Sequence, residues 1–214
     1  MHLFFICQHE VRFTWSASLK LKSDYGTGKI MGYVNITNEQ NNAAGQIVEL
    51  LATRIGQNRA IHPETVIAVV ARLSGSFLLR SLNFDLDKLE PGAIVLSAEA
   101  NERTPDLLAL LSTALTSKGI PLDTQKLGGD KSLRGEEPNL SFEASITSLQ
   151  DGMLLIAQEN NLDFEQAAQA GTLATAFIVA ECSRTISAET ALNVAVYGLI
   201  EGSKTVPPLF APIR

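Results

Sequence analysis

Residues 163–182, DFEQAAQAGTLATAFIVAEC, are apolar on nearly every side of a helical wheel, and a helix of that kind must be enclosed by others. Asp163 is a good N-cap and Gln166 completes a capping box, so the start is specified chemically as well as by period. Ala167, Ala168, Ala170, Gly171, Ala174 and Ala176 line it with small side chains that let neighbours approach closely. Ala174 and Phe177 are expected between those neighbours. Between Glu165 and Glu181 lie 15 uncharged residues, Gln166, Gln169, Thr172 and Thr175 among them, whereas a spanning helix needs about 20 predominantly apolar ones. The stretch predicts the middle of a helical bundle, not a membrane span.

Caps and periodicity mark the other helices. Thr37 with Gln40 gives a second capping box, and Ala43, Ala44, Ile47, Leu50, Leu51 and Ile55 follow at helical spacing until Gly56. His62 opens the next helix, with Pro63 suited to the first helical position and Glu64 favourable near the positive end of the dipole. Gly75 weakens that helix by roughly 1 kcal/mol relative to alanine, which a close contact or a kink would explain. Thr104, Pro105 and Asp106 predict the start of a third helix, closed by Lys118 and Gly119. Ile146, Leu149, Met153 and Ala157 describe a fourth, ending near Asn160 and Asn161, and Ser187 caps a last one that stops at Gly202.

Other stretches lack a helical period. Residues 1–38 hold β-like runs at 3–7 and 11–15 and carry four cations against two anions. They read either as a short hairpin packed on the helices or, with Met31 as the start, as a segment whose first 30 residues are upstream sequence without function. Pro91 and Gly92 break the chain before residues 93–98, where Ile94, Leu96 and Ala98 alternate as in an extended strand. Residues 122–139 are polar and glycine-rich and predict a mobile loop. Their Gly128 to Ser132 run lacks the order of a phosphate loop. Three prolines in 205–214 predict an extended tail. Segments 59–65 and 184–190 share Arg-x-Ile-x-x-Glu-Thr; a duplicated helical hairpin explains this, and so does the common chemistry of a helix start.

A formal charge of -6 argues against broad attraction to nucleic acid or anionic lipid. Cys7 and Cys182 sit far apart without metal-type spacing, so neither a disulfide framework nor a zinc site is expected. The apolar run at 3–7 is too short for a signal peptide and no cation precedes it. A cytoplasmic protein is expected.

Arg72, Ser76 and Arg80 form the most coherent polar set, since a spacing of four places them along one side of an otherwise apolar helix. Two guanidinium groups and a hydroxyl could hold a carboxylate or phosphate; the simpler reading is the helix's wet face. His62 and Glu64, two apart, do not face each other on a helix and read as residues of the helix start. Glu99 and Glu102, with Asp85 and Asp87, could make an oxygen-ligand cation site, against the simpler reading of a solvated acidic surface. His2, Cys7 and His9 are a weak metal pattern. Cys182 lies near Arg184, which would lower a thiol pKa, although a packed thiol is the simpler reading. No serine, histidine and acid arrangement, Rossmann fingerprint or zinc signature is present, and no cofactor is specified.

The chain therefore predicts a mostly α, orthogonal or bundle-like domain of about six helices at 39–202, with a minor β element and a duplicated hairpin as an open reading. Residues 1–38 form an N-terminal extension and 203–214 a tail. The expected function is non-enzymatic: a helical binding or assembly protein with a protein partner or a second copy, and no nucleic-acid or membrane partner. The competing class is an enzyme or small-ligand sensor holding an anionic ligand between helices. Gly198 and Gly202, at G-x-x-x-G spacing beside Val194 and Tyr197, mark the face on which a second copy would dock.

Overall fold

The computed structural model describes residues 35–55, 62–82, 84–128 and 130–211. They form α1 (Asn38–Ile55), α2 (Pro63–Ser81), α3 (Ala98–Ser117), α4 (Phe142–Glu159), α5 (Phe164–Cys182) and α6 (Ala188–Lys204), with short 3-10 turns in the connections that flank α3. This is an all-α, bundle-like domain. Its one β feature among the described residues is an isolated antiparallel bridge between Ile94 and Thr205. The readings placed on residues 1–34, including His2, Cys7, His9 and Met31, lie outside the described residues.

Local chemistry sets most helix starts. Thr37 and Gln40 exchange both capping-box bonds, at 2.9 and 3.2 Å, and Asp163 and Gln166 do the same at 3.0 and 2.8 Å. Ser141 and Ser187 each accept from the backbone three residues on. The third helix departs from expectation. It begins at Ala98, capped by Ser97 accepting from the Ala100 amide at 3.0 Å, and runs through Pro105. Thr104 is buried inside it, its hydroxyl 2.6 Å from the Ala100 carbonyl and 2.9 Å from the Ser203 hydroxyl on α6. A partner on another helix offsets the backbone bond that proline removes, so the start signal at Thr104 is overridden.

The deepest helix is α2, with 16 of its 19 residues buried against 12 of 19 in α5. The two hairpins interleave: α5 lies between α1 and α2, and α2 lies between α5 and α6. α5 runs against α2, placing Phe164 beside Phe77 and Gly171 beside Ser74. Ala174 is fully buried as expected, but Phe177 is half-buried at the rim, its ring 5.2 Å from the Lys118 ammonium. The large aromatic enclosed by neighbours is Phe77.

α6 runs along α2 in the same direction and almost touches its backbone. A Cβ on Gly75 would collide with the Leu199 carbonyl oxygen, and one on Gly202 with that of Arg72. Gly198 meets Ala71, where an added Cβ would come within 2.9 Å of the alanine methyl. Gly75 thus serves a close contact within an unbroken helix. Gly202 does not stop α6, which continues to Lys204. The G-x-x-x-G face is spent inside the chain and is closed to a second copy.

Cap chemistry recurs between the hairpins. The boxes at Thr37 and Asp163 are 126 residues apart, and Gln40 donates to the carbonyl of its counterpart Gln166. At the starts of α2 and α6, His62 pairs with Thr65 at 2.9 Å and Ser187 with Thr190 at 3.0 Å. The packing is not two-fold, because α6 makes no contact with α1 comparable to that of α2 with α5.

Candidate functional site

The three polar residues on α2 do not converge. Arg72 is buried, its Nε 2.6 Å from Glu201 and its Nη1 donating to the Leu140 carbonyl and the Ser145 hydroxyl. Arg80 donates to Gln150 and to the Pro208 carbonyl, and its guanidinium stacks 3.9 Å from the Phe210 ring. Burial pulls its pKa down to about 10 despite Asp87 and Asp151. The Ser76 hydroxyl is buried with no hydrogen-bond partner among the described residues. Arg72 braces α6 and α4, whereas Arg80 pins the tail, so the two guanidiniums end in separate networks.

The tail and the 122–139 segment are both laid onto the helices. Gln150 donates to the Leu209 carbonyl, the Ala211 amide donates to Asp151, and Phe210 stacks on Phe164. The 122–139 segment has little apolar surface, yet it forms a strap across the starts of α2 and α6. Asn193 of α6 donates to the carbonyls of Lys126 and Leu133 and accepts from the Gly128 amide. Glu189 accepts from the Asp123 amide at 2.8 Å, which lowers its pKa, and Glu64 accepts from the Glu136 amide at 3.3 Å. The shared Glu of the repeated segment thus holds the strap at both helix starts.

His62 takes part in this anchoring. As N-cap it has extended backbone, φ -80° and ψ 113°, so the helical rule that kept it from Glu64 does not apply. Its Nε2 lies 3.0 Å from Glu136 and 3.6 Å from Glu64, and its Nδ1 lies 2.9 Å from the Thr65 hydroxyl. Hydroxyl, imidazole and carboxylate form a line such as nucleophilic catalysis uses. Here it is structural: Thr65 is 5% exposed and its oxygen already accepts from the Asn139 amide, leaving no approach for a substrate.

Between strap and helices lies a cavity of about 30 Å³ lined by Arg72, Lys131, Arg134, Glu136, Tyr197 and neighbours. Arg134 stacks on the Tyr197 ring at 3.8 Å, and Lys131 is paired with Glu137, whose pKa that bond lowers. Of this set the sequence marked Arg72 as a ligand group and Tyr197 only as part of a docking face. Arg134 and Tyr197 belong to an aperiodic segment and an exposed helix face, and no spacing rule connects them.

Asp85, Asp87, Glu99 and Glu102 are exposed, and among the described residues no three acids, histidines or cysteines gather as metal ligands. Arg184 pairs with Glu181, while burial pushes the Cys182 thiol up to about 12, which makes it inert. Among the described residues, no helix is long and apolar enough to cross a membrane.

The connector between α2 and α3 carries the most unusual surface. Pro91 and Gly92, the latter at φ +87°, make a turn closed by the Ala93 amide on the Glu90 carbonyl at 3.0 Å. The chain then pairs with the start of the tail: Gly92 and Val95 donate to Val206 and Lys204, and Val206 donates to Ala93. The alternation read from the sequence is present with its phase reversed. Val95 turns inward, and Ile94 and Leu96 stand 73% and 83% exposed. No family model, curated protein or solved structure matches the chain.

Proposed function

We propose that this is a non-catalytic binding protein whose connector accepts an extended, apolar and basic segment of a partner protein as an added strand. The observation that carries this reading is the outward apolar phase of Ile94 and Leu96 on a segment already half-paired as β structure. Bonds from residues 93 and 95 go to the tail, so the backbone of Ile94 points the other way. The amides of Ile94 and Leu96 donate to no described residue. Strand addition gains affinity from such groups and specificity from alternate side chains. Between Asp85 and Glu102 the chain has five carboxylates and one lysine, which favours a basic segment and opposes pairing with a second acidic copy.

A peptide of alternating valine and lysine tests this. Its addition is expected to protect the Ile94 and Leu96 amides from hydrogen exchange, and a valine–glutamate peptide is expected not to. Joint Ile94→Asp and Leu96→Asp substitution is expected to weaken binding at least tenfold, about 1.4 kcal/mol, with the unfolding midpoint unchanged. Equal binding of both peptides, or unchanged exchange, sinks the reading. A concentration-dependent dimer in sedimentation, abolished by the double substitution, would make the occupant a second copy instead.

A further inference from the structure

We infer that the cavity beneath the strap binds a carboxylate group, with Arg134 as its principal donor. The inference is independent of the connector. Arg72 and Lys131 each hold a carboxylate already, Glu201 and Glu137 respectively. Glu136, the other acid in the wall, is engaged by His62. Arg134 is different: among the described residues it makes no ion pair, Asp130 and Glu137 acting on it only at longer range, and its buried Nε finds no acceptor there. A buried donor left open in a native fold calls for an explanation; since Nε itself has almost no accessible surface, a ligand in the cavity meets the terminal nitrogens of the fork. Stacking on Tyr197 fixes the plane of the guanidinium, and a fixed planar fork suits bidentate binding of a carboxylate.

About 10–15 Å³ of water-accessible space holds one water, so a cavity of about 30 Å³ has room for the two oxygens of a carboxylate. Ala68, Val194, Pro138 and the half-exposed Tyr197 ring complete the wall, a setting for the short apolar body of an organic acid or the last residue of a peptide. Neither source changes the chemistry at Arg134.

The side-chain Nε–H resonance of Arg134 provides a direct readout. Titrating wild type with sodium propionate is expected to shift that resonance saturably, while sodium chloride at equal ionic strength leaves it in place. Arg134→Lys keeps the charge and loses the fork, and is expected to weaken propionate binding at least tenfold as read from the amides of 131–137. A short acetylated peptide with a free C-terminus, compared with its C-terminal amide, separates the two sources: stronger binding than propionate assigns the site to a chain end, weaker binding to a small acid. Wild type alone decides the inference if the variant fails to fold. An unmoved Nε–H signal, an equal response to chloride, or a larger response to inorganic phosphate overturns the assignment and leaves a cavity that holds water or another anion.

Discussion

The two irregular segments of this protein reverse what their compositions suggest. The connector has an alternating apolar pattern of the kind that usually marks a buried strand, yet it holds Ile94 and Leu96 in solvent. The strap is polar and aperiodic, yet six of its backbone groups are tied to side chains of α2 and α6. Backbone polar groups must find partners wherever they are covered. Asn193, Glu64, Glu189 and Thr65 offer such partners at the starts of α2 and α6, so a chain with few apolar residues can lie there. In the connector only Leu86, part of Val95 and one backbone edge find cover. Position relative to unsatisfied partners, more than hydrophobicity, decided which segment is held.

Both segments rest on the α2–α6 contact, so breaking it gives the largest effect. Gly202→Val would drive a side chain into the Arg72 carbonyl. It is expected to remove about 3 to 5 kcal/mol of stability or to abolish cooperative urea unfolding, at the severe end for a point substitution. A loss below about 1 kcal/mol would show that the helices can separate without loss, and neither segment would then depend on their contact.

Asn193→Ala sharpens the strap side of the contrast. Asn193 is 4% exposed and its replacement strands two carbonyls and one amide of the strap. A loss of about 2 kcal/mol is expected, with faster hydrogen exchange at Gly128. If stability and exchange are unchanged, the strap is held by its apolar contacts and composition was the better guide. The smallest effect belongs to the connector: Ile94→Ser and Leu96→Ser are each expected within about 0.5 kcal/mol of wild type by equilibrium denaturation, as for other exposed positions. A cost above about 2 kcal/mol in either would mean that these side chains are enclosed, and the contrast would collapse.

Little of the candidate site was legible in the sequence. The α2 arginines drew notice because they interrupt an apolar helix, but spacing gives only the side of the helix, not the acceptors that await there. Arg72 meets Glu201 from 129 positions away, and Arg80 meets the Pro208 carbonyl from 128. His62 was excluded from Glu64 by a rule for helical residues, although as the N-cap its own backbone is extended. Arg134 carried no signal, since it is ordinary for its segment, and Tyr197 was read as part of a docking face rather than as a partner of Arg134.

The sequence by itself determined the helical class and most helix ends, because capping, proline placement and apolar period act within one or two turns. It carried the boxes at Thr37 and Asp163 and the cap at Ser187 without help from distant residues. Tertiary structure alone decided that α3 passes through Pro105, that α2 lies deeper than α5, and that Gly198 and Gly202 face α2. Each of these depends on what a helix meets: Ser203 beside Thr104, two neighbours flanking α2, a backbone at van der Waals range of a glycine. Such contacts join residues far apart in the chain, and no local pattern encodes them.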